Sequence, residues 1–287
     1  MFNSGVIAND KPFQEAFDIT LNGDIGADKA NATIEYLNGK KECGVNIGMV
    51  AGLQKGGISL HITPFDPILV YRKFTVNPDN YIYLRDDGRI MANLSIYDEL
   101  RTGLSFYSTP DSTAQQDLTL SLTQINIGEF KRVIPYMPDI EGVINSEAHY
   151  VQTEDGMDQI SLENNINQLR YNGIALGDWA LSAVYLPKQT GEQHINGLIM
   201  QNDKEVISIE GSYFPAEEKE QKEDRIDARM ALHHFPLEIA NSFIPGKMAM
   251  LSGDIDGTMQ MSLSRPSRKV NHANVRQCFP TAHERKN

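Results

Sequence analysis

The stretch LTLSLTQINIGEFKRVIP, residues 118–135, decides the fold. Apolar residues fall at every second position through Leu118, Leu120 and Leu122, the period of a strand with one dry face. The parity then slips to Ile125 and Ile127, and a short segment closes on Ile134 and Pro135. The same design returns 110 residues later, where Ala228, Met230, Leu232, Phe235, Leu237, Phe243, Ile244 and Pro245 answer Leu118, Leu120, Leu122, Ile125, Ile127, Val133, Ile134 and Pro135. A slip shared by two copies predicts a bulge or corner at the strand end. One helical turn follows it, GEFKRV (128–133) in the first copy and EIANSF (238–243) in the second. After one inserted residue the register resumes, with Gly142, Ile144, Ala148 and Tyr150 matching Gly253, Ile255, Met259 and Met261.

Working outward, the same alternation recurs in Ile58-Ser-Leu60-His-Ile62, Tyr81-Ile-Tyr83, Ile160-Ser-Leu162, Ala180 to Tyr185 and Val206 to Ile209. Seven Asn-Gly or Asp-Gly pairs, at 22, 38, 87, 155, 172, 196 and 256, punctuate these runs and predict tight hairpins, with Asn22-Gly23 equally at home inside a strand. Helical spacing is nearly absent. Asp10-Lys-Pro-Phe13 through Phe17 suits one turn, and the charge run Glu217 to Arg225 reads as a solvated loop. The predicted fold is therefore all-β, a mostly antiparallel meander forming an open, curled sheet with short helical turns. Shared parity puts Leu118, Leu120 and Leu122 on one side of their strand and Ala228, Met230 and Leu232 on one side of theirs. These six are read as lining an apolar groove, with Thr119 and Ser121 facing away from it.

Composition bounds the function. The 287 residues are 40% apolar and 22% charged, enough for a continuous core. The net charge is −12, which disfavours a nucleic-acid partner because phosphate binding needs a basic face. Residues 265–287 stand apart, with six Lys or Arg against one Glu and no alternation, so the chain divides into a β-repeat region, 1–264, and a disordered or out-of-frame tail, 265–287. Cys43 and Cys278 are too few and too far apart for a disulfide framework or a cysteine metal site. No window approaches the roughly 18 apolar residues of a membrane helix, and the first residues lack the basic and apolar regions of an export signal.

No constellation carries chemistry. His233 and His234 are neighbours in an alternating segment, so they point to opposite faces and one metal cannot take both. Asp254-Ile-Asp256-Gly257 opens like a calcium loop but lacks the later carboxylates. Asp139 and Glu141 flank a turn without an apolar pocket to raise either pKa, and no nucleophile elbow or phosphate-binding loop stands between a strand and a helix. The reading is of no enzyme, no catalytic residue, no metal and no cofactor. The alternative to an open groove is a self-contained β-sandwich binding module, an adhesin or glycan binder, although Trp179, the single tryptophan, sits in an alternating strand where core is the simpler place.

Residues 118–150 and 230–264, with KFTVNPDNYIYLRDDGRIMANLSIYDE from Lys73, resemble repeats of the translocation and assembly module TamB family, most of all the C-terminal region of the large Bacteroidetes versions. The resemblance spans roughly residues 1–264, and it makes the chain an internal slice of a longer parent. It implies a taco-shaped β-solenoid with an apolar interior, in a periplasmic protein tethered to the inner membrane. It further implies an outer-membrane barrel partner, with phospholipid acyl chains or nascent outer-membrane β-strands as cargo, and roles in outer-membrane protein assembly and inner-to-outer membrane phospholipid transport.

Overall fold

The computed structural model describes residues 2–4, 17–109, 113–134, 136–216, 223–242, 251–266, 272–277 and 281–283. The chain is all-β, 72% strand and 5% helix, with an antiparallel sheet that is open rather than closed into a barrel. It divides into two compact units, Met1–Glu147 and Ala148–Asn287.

The first unit holds β1 (Phe2–Ser4), β2 (Phe17–Ile25), β3 (Lys29–Asn38), β4 (Cys43–Gln54), β5 (Gly57–Leu69), β6 (Arg72–Lys73), β7 (Thr75–Val76), β8 (Tyr81–Arg85), β9 (Ile90–Tyr97), β10 (Gly103–Ser108) and β11 (Gln116–Asn126). Neighbours in sequence pair antiparallel from β1 to β5 and from β8 to β11. Between them, β5 pairs with β6 at one end and β8 at the other, and β7 joins β9. The sheet of this unit curls on itself around Phe74, Val76, Leu94 and Ile96, which pack with Ile47, Ile62, Leu104 and Phe106 from strands on either side. Val76 is 1% exposed, so this is where burial is deepest.

A thirteen-residue strand, β12 (Ile140–Gln152), carries the boundary between the units. The second unit continues with β13 (Asp158–Tyr171), β14 (Ile174–Pro187), β15 (Gln193–Gln201), β16 (Lys204–Phe214), β17 (Glu223–Pro236), β18 (Asp254–Pro266), β19 (His272–Gln277) and β20 (Thr281–His283). Strands β13 to β18 pair in chain order. The turn Asn172-Gly173, with φ of 49° and 78°, closes β13 on β14 as a two-residue hairpin, and Asn202-Asp203 does the same between β15 and β16.

Four of the seven Asn-Gly or Asp-Gly pairs, at 38, 87, 155 and 172, sit at turns, whereas those at 22, 196 and 256 lie inside β2, β15 and β18. Gly197 faces Ile209, whose Cβ lies 3.7 Å from where a Cβ of residue 197 would be, an ordinary contact, so a side chain would fit there.

The shared parity slip is a bulge in both copies. Gln124 takes a left-handed φ of 55° and His234 one of 46°, and the ladder between β17 and β18 shifts between Leu232 and Phe235. The displaced N–H of Gln124 donates to Asn145 Oδ1 at 2.9 Å, and that of His234 donates to Asp256 Oδ1 at 2.8 Å. A third bulge in β13 repeats the device: Gln168, φ 53°, donates to Asp178 Oδ1 at 2.7 Å. The expected helical turns are 3-10 turns at Ile127–Arg132 and Leu237–Ser242, the first capped by Asn126 Oδ1 accepting from Gly128 N–H at 3.0 Å. Pro135, Pro245 and the turn proposed before Phe17 lie outside the described residues.

One expectation is corrected. Glu223 to Arg225, assigned to a loop, begin β17, where Arg225 lies over the Phe214 ring at 4.4 Å and Asp224 accepts from Ala216 N–H; residues 217–222 lie outside the described set. Past Ser264, where alternation stops, β18 runs on to Pro266 and β19 and β20 both add to it. An edge strand offers a row of N–H and C=O groups that pairs with a short segment whatever its apolar pattern. Cys278 lies outside the described residues. Among those described, no helix is long and apolar enough to cross a membrane.

Candidate functional site: an apolar groove in the first unit

Cross-strand rungs align apolar side chains on one face of the first unit. Leu122 stands opposite Leu104, Leu104 opposite Ile96, and Ile96 opposite Val76. On the far strands Ile19 stands opposite Tyr36 and Tyr36 opposite Val45, while Leu21 pairs with Ile34 and Ile34 with Ile47. Because the sheet curls, Ile19, Ile34 and Val45 share one hollow with Leu104, Leu122 and Phe130 from the 3-10 turn. It is a partly open groove of about 520 Å³, within the range of roughly 300–1,000 Å³ usual for ligand sites. A second, smaller hollow of about 350 Å³ lies along β2 to β4, lined by Leu21, Ile25, Ala32 and Met49.

Val70 reaches the groove from a strained hairpin. Val70 and Tyr71 connect β5 to β6 with φ of 51° and 62°, a conformation that a β-branched residue resists. Tertiary contacts hold it: Tyr71 N–H donates to Gly44 O at 2.9 Å, its hydroxyl donates to Arg132 O at 3.4 Å, and Arg132 lies over its ring at 4.3 Å. Gly44 has to be glycine on steric grounds, since a Cβ there would come within 2.8 Å of Tyr36 Cδ1 and 2.9 Å of Tyr71 Cζ.

One polar corner interrupts the apolar lining. Arg72 Nη1 donates to Glu129 Oε2 at 3.2 Å and Nη2 to Thr102 Oγ1 at 3.3 Å, and Nη2 also pairs with Asp98. Asp98 is nearly buried, and its Oδ1 accepts from the N–H groups of Leu100 and Thr102. This is how a guanidinium is held in an apolar wall: its charge is matched and most of its donors are used.

The six residues assigned to the groove have different places. Leu122 lines the groove, Leu118 is buried, and Leu120, opposite Phe106, is 41% exposed. In the second unit Met230 stands between Ile209 and Met259, within the rung Leu162, Ala183, Gly197, Ile209, Met230, Met259, and Leu232 stands between Ile207 and Gly257 in another rung. Ile195 on the same face is 50% exposed. Ala228 borders a hollow of about 420 Å³ with Glu210, Ser212, Asp227, Arg229 and Met261. Thr119, expected to face away from the groove, is 6% exposed, because the opposite face is also covered at that point.

Pattern alone passed over Arg72, Asp98 and Glu129, and also the groove-lining residues of β2 to β5. Alternation was visible in those strands, but which rungs close around one hollow follows from register and curl. Ser–His contacts also went unseen. Ser59 Oγ lies 2.9 Å from His61 Nε2, a pair at the i, i+2 spacing of one strand face, and Ser212 Oγ lies 3.0 Å from His194 Nδ1 across a ladder. Neither borders the groove.

The remaining candidates have structural partners. His233 pairs with Glu205 at 3.2 Å and His234 with Asp256 at 3.1 Å, while Asp139 and Glu141 both lie near Lys131. Asp256 serves the bulge. Among the described residues, no group of three or more His, Cys, Asp or Glu side chains is placed to hold a metal ion. Burial pushes the Cys43 thiol up from its ordinary pKa. Comparison with protein-family models, with curated proteins and with solved structures finds no match to this chain.

Proposed function

We propose that the chain is a non-catalytic segment of a cell-envelope protein whose apolar groove shields acyl chains from water. The observation that carries this reading is the partly open groove of about 520 Å³ walled by Ile19, Ile34, Val45, Leu104 and Leu122. At about 0.8 kcal/mol per buried methylene, a sixteen-carbon chain laid in a dry trough gains on the order of 12 kcal/mol before ordering costs. A sandwich closing on its own core would use the same residues to fill itself; here the sheet is open. The resemblance to the TamB family supports a periplasmic setting, a tether in the full-length parent, an outer-membrane barrel partner and roles in phospholipid transport and outer-membrane protein assembly.

The test is photo-crosslinking in cells from a probe at position 122 or 104 of the full-length parent. Capture of phospholipid supports acyl-chain shielding. Capture of outer-membrane protein segments replaces it with a strand-holding role, and crosslinks confined to the chain itself return the self-contained binding module.

A further inference from the structure

Resting on the acyl-chain reading, we infer that the groove of the first unit selects amphiphiles with a cationic headgroup, an ammonium, and that Glu129 is the residue that sets this preference. The groove has an apolar body and a single charged corner, the anatomy expected for a ligand with a tail and a head. Of the charged side chains, Arg72 and Glu129 line it directly, and Asp98 stands behind Arg72. One guanidinium against two carboxylates leaves the corner with a formal charge of about −1.

Donor occupancy argues the same way. The guanidinium already gives Nη1 to Glu129 and Nη2 to Thr102 and Asp98, three of its five N–H donors, so an anionic headgroup meets a cation that two carboxylates already match. The carboxylate of Glu129 is one-third exposed and meets Arg72 through Oε2 alone, so an ammonium adds to the existing pair without breaking it. The neighbouring cations of the 3-10 turn are engaged elsewhere. Arg132 lies over Tyr71, and Lys131 pairs with Asp139 and Glu141. Neither lines the groove.

The experiment is displacement of Nile red, a neutral dye bound to the full chain, by three twelve-carbon amphiphiles below micelle formation: dodecyltrimethylammonium, dodecyl maltoside and dodecyl sulfate. The expected result is displacement by the ammonium at a concentration at least about fivefold lower than by the sulfate, a gap that narrows as salt rises. Glu129→Gln should close most of that gap, while Asp86→Asn, an equal charge change on an exposed turn, should leave it intact. Equal displacement by the ammonium and the sulfate in the wild type overturns the headgroup preference and leaves acyl-chain shielding standing. A gap that survives Glu129→Gln also overturns it, since the preference would then belong to the net charge of −12. Dye binding that is absent, or unaffected by Leu122→Asp in a variant with an unchanged circular dichroism spectrum, overturns the acyl-chain reading itself.

Discussion

The backbone N–H of Gln124 donates to the side-chain oxygen of Asn145 at 2.9 Å, across the bulge that turns β11 toward its 3-10 turn. His234 and Asp256 make the equivalent bond 110 and 111 residues later. A bulge takes one N–H out of the ladder, and a short Asn or Asp side chain on the next strand returns a partner to it. Asn145→Ala is expected to cost about 0.5–1.5 kcal/mol, the net worth of one such hydrogen bond, and Asn145→Asp much less because an acceptor remains. Asp256→Ala also removes the carboxylate beside the His234 ring and should cost at least as much as Asn145→Ala. Urea midpoints at constant slope measure this. An Asn145→Ala variant as stable as Asn145→Asp would mean that water replaces the side chain without loss.

The groove wall separates the three leucines of β11. Leu122→Asp puts a carboxylate into the apolar hollow and is expected to cost several kcal/mol, or to draw water in. Leu118→Ala, at a buried position, is expected to cost about 2–5 kcal/mol. Leu120→Asp, already 41% exposed, is expected to cost clearly less than either. Thermal unfolding of the three variants ranks them, and a Leu120 variant as damaging as Leu122→Asp would contradict the burial pattern.

Gly44→Ala tests the packing against Tyr36 and the Val70–Tyr71 hairpin. The new methyl meets Tyr36, Tyr71 and Val133 at 2.8–3.0 Å, so a loss of about 1–3 kcal/mol is expected from overpacking. Adding Tyr71→Ala removes one of the three clashing groups, and the double variant should lose less than the sum of the two singles. Strict additivity in that cycle would show that Tyr71 is not what Gly44 makes room for.

Tyr150 carries a pH signature. Its hydroxyl donates to Asp158 Oδ1 at 2.6 Å, and this bond to a carboxylate holds the phenol's pKa up, to about 12. The folded value lies above the unfolded value of 10.0, so the stability it contributes is fully present below pH 10 and is lost as pH rises through about 12. Burial also pushes Tyr213 up, so ultraviolet titration should show a late component that shrinks by one ring in Tyr150→Phe and moves down in Asp158→Asn. A late amplitude unchanged in Tyr150→Phe would assign it to another ring.

Much of this protein was legible as period and punctuation. Alternation from Leu118 to Leu122 named the strand and its dry side, and the slip to Ile125, repeated before Phe235, located both bulges and both 3-10 turns, because strand pairing and bulges are written in neighbouring residues. What period 2 cannot say is how strands distant in sequence close on each other. It could not bring Ile19 to the same hollow as Leu122, cover the face of Thr119, assign Leu118, Leu120 and Leu122 three different exposures, or set Arg72 between Asp98 and Glu129. Each of those depends on cumulative register and on the curl of the sheet in the first unit. These are properties of many ladders summed together, and no single strand carries them in its own residues.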